Sequence, residues 1–290
     1  MLTQNITSAG AVAAGIKAPY PGFTGSVAQA LRPFPQYLTI NNNSNPNGNS
    51  TYNALQTKVT KRLSSGFSLL SAFTWSKSLS DGQISAGGGP SGEDYYNRRL
   101  DKGLSVNDVP FIFAAGYTWE LPFGKGKRFL SGNNVASTIL GGWQLNGIHQ
   151  YQTGKPVQLT ANNSLPIFNG LLRPNVATGA TLTADHVNPL ADNWFNKAAF
   201  AIPGNFQFGN AARSYNELRR QNSLNESFGL MKQVKLAERA TLTLRGEFFN
   251  LFNRTVFGAP VANVSAANFG RVTNQANAPR QGLVSLRLDF

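Results

Sequence analysis

The chain has no cysteine among its 290 residues. Disulfide staples, thiolate metal sites and a cysteine nucleophile are thereby excluded. Histidine is almost as scarce. His149 and His186 stand alone, neither with a second ligand at metal-binding spacing, so no cofactor and no enzyme chemistry is expected. Charged residues make up only 13% of the chain, against a typical globular share of roughly 25%. Long apolar runs are missing too: no window approaches the roughly 18 consecutive apolar residues of a membrane helix. Segment 1–14 has no basic run ahead of an apolar core and does not read as a secretory signal.

The polarity that remains comes from Asn, Gln, Ser, Thr and Gly, which hold the mean hydropathy at -0.23 despite the shortage of charge. The net charge of +13 raises the question of nucleic acid. Lys and Arg are mostly spread singly, with short clusters such as Lys125 to Arg128, and a dispersed excess reads as a solvated surface. A basic rim facing anionic lipopolysaccharide accounts for it, and nucleic acid is not an expected partner.

The last ten residues carry the main signal. Counting back from Phe290, the positions Leu288, Leu286, Val284 and Gly282 alternate with Asp289, Arg287, Ser285 and Gln281, and only Leu283 breaks the pattern. A period of two marks a strand with one apolar and one wet face. The same alternation recurs over 67–76, 111–121, 143–152 and 241–249, with weaker strands expected at 36–42, 52–63 and 226–236. Segments of about ten residues suit tilted strands that cross an outer membrane.

Connection lengths alternate as well. The links 64–66 and 237–239 are tight, 122–142 is intermediate, and 79–110, 157–225 and 252–280 are long. Long loops are uncommon in compact soluble domains but ordinary outside an outer-membrane barrel, whose periplasmic turns stay short. With the C-terminus in the periplasm, every long loop falls outside. Trp75, Trp119, Trp143, Tyr151 and Phe290 lie near strand ends, as an interfacial aromatic girdle requires. Arg or Lys at the lipid-facing midplane costs roughly 2 to 4 kcal/mol, and Glu120, Arg245, Glu247, Arg287 and Asp289 all fall opposite the apolar positions.

Several motifs resemble a known family. They are Pro19-Tyr20-Pro21-Gly22-Phe23, Leu31-Arg32-Pro33-Phe34-Pro35-Gln36-Tyr37, Tyr52-Asn53-Ala54-Leu55-Gln56 and Phe73-Thr74-Trp75-Ser76-Lys77-Ser78. Further along come Glu120-Leu121-Pro122-Phe123-Gly124-Lys125-Gly126, Gly141-Gly142-Trp143-Gln144-Leu145 and Glu247-Phe248-Phe249-Asn250-Leu251-Phe252-Asn253. In this order they resemble the barrel of TonB-dependent outer-membrane receptors of the Oar-like, carboxypeptidase-regulatory-like type found in acidobacteria. The resemblance implies an all-β, antiparallel transmembrane β-barrel of about 22 strands, with residues 1–290 as its C-terminal part, about eight strands joined by long extracellular loops. It also implies partners: a TonB complex reached through an N-terminal plug that this sequence lacks, and the outer-membrane assembly machinery, which would read terminal Phe290. The absence of a signal fits a chain that is the C-terminal piece of something longer.

The binding chemistry expected is modest. Gln144, Asn146, Gln150, Gln152, Arg245, Glu247, Arg287 and Asp289 form a lumen-facing polar wall for a solute or a plug. Trp194, Phe195, Phe200, Phe206 and Phe208 in the loop 157–225 either stack on sugars or hold that loop together. Glu93-Asp94 reads as a solvated loop that lacks the further carboxylates of a calcium cage. Gly124-Lys125-Gly126-Lys127 reads as a polar turn, without the spacing of a P-loop. The function expected is uptake of a scarce solute, whether siderophore, oligosaccharide or peptide. The alternatives are a small stand-alone outer-membrane barrel with an adhesive or structural role, and a secreted soluble β-sandwich.

Overall fold

The computed structural model describes residues 1–38, 40, 48–82, 92–94, 96–132, 135–162, 171–185, 188–236 and 239–290. Its strands are β1 (Ser50–Ser64), β2 (Phe67–Ser80), β3 (Gly103–Leu104), β4 (Phe111–Glu120), β5 (Trp143–Gln152), β6 (Asn175–Val176), β7 (Phe200–Ala201), β8 (Ser223–Lys235), β9 (Thr241–Phe249) and β10 (Gln281–Asp289). Three short helices accompany them: α1 (Ala9–Ala13), α2 (Val27–Ala30) and α3 (Val135–Leu140). One sheet runs in the order β1-β2-β4-β5-β8-β9-β10, with β3 paired to the end of β2, and β6 pairs with β7 as a separate ribbon. Every pairing is antiparallel.

Residues with period-two alternation form strands here because each face meets a different environment. The register preserves that parity from β2 to β10, and along β1 as far as Lys61, beyond which a bulge before Ser64 shifts it. Phe73 of β2 lies opposite Phe113 of β4, which lies opposite Tyr151 of β5, which lies opposite Leu224 of β8. Phe228 then faces Phe248 of β9, and Phe248 faces Gly282 of β10. A slip of one residue at any pairing would mix the faces.

None of the buried apolar side chains lies in the seven long strands. The apolar face is instead open: Val284 is 74% exposed, Leu286 67%, and Leu55 and Trp75 57% each. A water-soluble sheet covers such a face with a core, and contiguous apolar surface of this extent marks contact with something other than water. The hydrophobic cores that exist are made by connections. Phe195, Phe269, Leu218 and Val272 form the centre of a lobe built from the links β5–β8 and β9–β10. Ile6, Ala11, Phe23 and Val27 form a smaller cluster around α1 and α2.

Long connections gather at one end of the sheet and short ones at the other, which follows from the antiparallel order. The β1–β2 turn is a two-residue loop, Ser65-Gly66, with φ of 53° and 78°, between the paired Ser64 and Phe67. Positive φ at both positions is the I′ geometry that matches strand twist. The edge strands β1 and β10 both run from the long-loop end to the turn end, so they point the same way.

The link β4–β5 closes through two glycines. A Cβ added at Gly141 would lie 2.7 Å from the Gly124 Cα, so both positions must lack one. The motifs around 120–126 and 141–145 thus meet in space.

The expected strand at 36–42 is corrected. Residues 36–38 and 40 are not in a strand, and 39, 41 and 42 lie outside the described residues. The chain turns there instead: just after Pro33 and Pro35, the Tyr37 amide closes a turn on the Phe34 carbonyl at 3.2 Å. Boundaries also move: β2 continues to Ser80, β8 begins at Ser223, β1 begins at Ser50, and other strand ends shift by one residue. The turn at 237–239 lies largely outside the described residues, as does His186.

Asp81, just beyond β2, pins the chain entering β1. Its carboxylate accepts from the Asn49 backbone N–H at 2.6 Å and from the Asn49 side-chain amide at 3.0 Å. Those two bonds, aided by Arg98, hold its pKa below the ordinary value. A depressed carboxylate contributes stability above its unfolded pKa and loses it as pH falls through the folded value. The Asn49 amide should therefore keep its hydrogen-exchange protection through the ordinary carboxylate range and lose it only at lower pH. If Asp81→Asn leaves that profile unchanged, the assignment is wrong.

Candidate functional site

The eight polar residues expected on one wall do share one face of the sheet. Gln144 lies between Glu120 and Met231, Asn146 between Thr118 and Gly229, Gln150 between Ala114 and Asn225, and Gln152 between Ile112 and Ser223. On the neighbouring strands Arg245 lies between Met231 and Ser285, and Glu247 between Gly229 and Leu283. Arg287 and Asp289 continue the same face on β10. Alternation along each strand puts them there.

The charges of this face neutralise one another along the strand. Arg245 Nη2 donates to Glu247 Oε1 at 2.6 Å, and Arg287 Nε donates to Asp289 Oδ1 at 2.7 Å. Thr118 Oγ1 donates to Asn146 Oδ1 at 2.9 Å across the β4–β5 pair. Exposed pairs of this kind contribute at most about 1 kcal/mol each. What the face offers is a surface of amides and hydroxyls, joined by the cations Lys58 and Lys235, able to donate to and accept from a polar molecule. Leu70, Ile112, Ile148 and Met231 interrupt it.

Charge segregation is incomplete: Lys61, Lys77 and Lys232 fall on the apolar face near strand ends, and one acid is buried there. Glu226 lies on the apolar face, opposite His149, with only 2% of its surface exposed. Arg254, from the link after β9, neutralises it, with Nε 3.0 Å from Oε2 and 3.2 Å from Oε1. The position is three residues inside the long-loop end of β8, where a loop side chain can reach it. Beside it, His149 Nδ1 lies 3.1 Å from the Tyr151 hydroxyl, and the imidazole ring stacks on Tyr117 and meets the edge of Phe228. His149 is thus a member of an aromatic cluster. Among the described residues no group of three or more metal-ligating side chains gathers.

The loop aromatics divide. Trp194 and Phe195 are buried in the lobe core, Phe195 and Phe200 both pack on Phe269, and Trp194 meets Phe257 edge-on at 6.2 Å. Trp194 Nε1 also donates to the Pro189 carbonyl at 3.0 Å. Phe206 and Phe208 lie on the lobe surface, and Phe206 takes a φ of 61°, an uncommon conformation for a bulky side chain.

The lobe is also stitched by ion pairs that sequence reasoning missed. Glu93 is not solvated: its side chain is fully buried, accepting from Arg173 Nε at 2.9 Å, from the Arg173 backbone N–H at 2.8 Å and from the Gly209 N–H at 3.3 Å. The partner stands eighty residues away in sequence, so nothing local announces the pair. Asp94 remains at the surface side of that loop, accepting from the Tyr96 amide, and Tyr95 lies outside the described residues. Arg213 donates to the carbonyls of Ser80, Asp101 and Gly82. Burial pushes the Asp101 carboxyl up, against the pull of Arg173, and pushes Arg213 down. Asp108 accepts from the Ser78 N–H and from Arg219 Nη2, both at 2.6 Å, fastening the lobe to the end of β2.

No curated protein matches the chain. The model of a family described as an outer membrane beta barrel domain matches it over residues 4–282, which takes in six of the seven long strands, the first two residues of β10 and the lobe between them. A sheet with one apolar and one polar face and no core of its own is what such a wall requires. The chain belongs to the outer membrane beta barrel domain family and is a protein of the bacterial outer membrane.

Proposed function

We propose that this barrel wall forms part of a TonB-dependent receptor that takes up a scarce solute, a siderophore, oligosaccharide or peptide. The observation that carries the reading is the shared direction of the two edge strands. Antiparallel strands alternate in direction, so closing a barrel by antiparallel pairing needs an even number of them. Seven long strands are described, and β1 and β10 run the same way. Joining them directly would make a parallel seam, whereas bacterial single-chain barrels have even strand numbers. An odd number of further strands closes the wall without a free edge. Parity is met by an eight-stranded ring as well as by a larger one; what favours the large barrel over a small stand-alone adhesive or structural one is the resemblance to receptors of about 22 strands, the class with a plugged lumen.

In this reading the turn end is periplasmic and the lobe extracellular. The polar face lines the lumen, where Gln144, Asn146, Gln150 and Gln152 bond a solute or a plug. Energy coupling falls to TonB, acting through a plug in the lumen. Lipopolysaccharide meets the loop-end rim, and Phe290, past the end of β10 and 98% exposed, is presented to the assembly machinery.

Deleting the gene and following accumulation of labelled ferric siderophores, oligosaccharides and peptides, with and without a protonophore, tests the proposal. One class should lose its energy-dependent accumulation in the deletion strain. Unchanged accumulation of every class overturns the transport reading.

A further inference from the structure

The link between β4 and β5, residues 122–142, contains a helix that is inside out. In α3 the one buried residue is the polar Ser137, while Val135 is 74% exposed, Ile139 58% and Leu140 50%. A helix turned toward water shows the opposite arrangement. Phe129 and Leu130, in the same link, are exposed at 48% and 39%.

The helix is also fixed to one particular side of the sheet. Trp143 and Lys232 face each other across β5 and β8 on the apolar face. Trp143 Nε1 donates to the Ile139 carbonyl at 3.0 Å, and Lys232 Nζ donates to the carbonyls of Thr138 and Ile139 at 2.7 and 2.5 Å. The ammonium group also lies 5.2 Å from the centre of the Trp143 ring. Two side chains of the apolar face thus grip the C-terminal carbonyls of α3, where a cation is favoured. The helix thus sits against residues of the apolar face with its own apolar side chains exposed. Trp beside Lys at a strand end is the composition of a membrane–water boundary.

We infer that α3 is an interfacial anchor, laid against the phospholipid leaflet at the turn end of the barrel, with Val135, Ile139 and Leu140 at the headgroup–acyl boundary and Lys232 beside the lipid phosphates. Helices with one apolar side lie in this plane without crossing the bilayer. The inference needs the outer-membrane assignment and the orientation of the turn end; it does not depend on transport.

The absence of cysteine from these 290 residues allows single-site labelling within them. Val135→Cys and Ile139→Cys, each carrying a nitroxide, are compared in isolated outer membranes with Val284→Cys on the apolar face and Ser64→Cys beside the β1–β2 turn. Collision with oxygen and with a water-soluble nickel chelate is measured for each. Both α3 labels should show an oxygen-to-nickel ratio several-fold above that of Ser64→Cys and approaching that of Val284→Cys. A ratio like that of Ser64→Cys overturns the inference, and so does shielding from both reagents, which would put α3 against protein. Two α3 positions are used so that a variant failing to reach the membrane leaves the other to decide.

Discussion

Gly154→Ala should prevent the lobe from seating on the sheet. The added Cβ would overlap the Arg220 carbonyl and approach its carbon to 2.5 Å. That carbonyl cannot swing away. The backbone around it is held by the Arg220 N–H to the Lys155 carbonyl at 2.9 Å and the Val157 N–H to the Leu218 carbonyl at 2.8 Å. Gly154 itself donates to Asn222 Oδ1 and accepts from Arg219, so the crossing where β5 leaves the sheet and β8 re-enters it has fixed partners on both strands. Over-packing costs typically 1 to 3 kcal/mol where neighbours can yield; here backbone meets backbone, and the cost should reach about 3 kcal/mol or more. Limited proteolysis of intact cells reads this as rapid cleavage within 153–222. A variant as resistant as the parent would show that the crossing is looser than described.

Arg173→Met should be nearly as damaging, for an electrostatic reason. It leaves the Glu93 carboxylate buried without its guanidinium, and removing one partner of a buried pair costs about 3 to 5 kcal/mol. Glu93→Gln/Arg173→Met, which removes the charge together with its partner, should recover much of the loss, because replacing both members of a buried pair is often close to neutral. Protease resistance of the lobe in the two variants measures the difference. Equal losses in the single and double variants would mean that shape, and not charge, holds the site.

The wall was legible in the sequence because a strand's two faces are written locally. Leu286 and Arg287 are neighbours in the chain and opposites in space, and no distant partner is needed to say so. The polar face of β4, β5, β9 and β10 could be assembled in this way before any pairing was known. The lobe was not legible. Glu93 finds its place only through Arg173, and Asp108 only through Arg219, at separations that no periodicity encodes. Trp194 and Phe206 belong to the same aromatic-rich loop, yet one is buried and one is not; composition alone does not divide them. Glu226 shows a third case, an acid on the apolar side tolerated because Arg254 arrives from another loop. The expected strand at 36–42 gives way, over its described residues, to the turn that Tyr37 closes on Phe34.

The sheet order has a consequence for how the molecule forms. Each long strand pairs only with the long strands before and after it in the chain. Ring closure between chain neighbours costs little entropy when the connection is short, and the cost grows only logarithmically with its length. The Ser65-Gly66 hairpin and the β8–β9 hairpin can therefore zip first, each presenting a ready template for the next strand. The seventy residues from Thr153 to Asn222 separate β5 from β8, so that pairing carries the largest closure cost in the sheet.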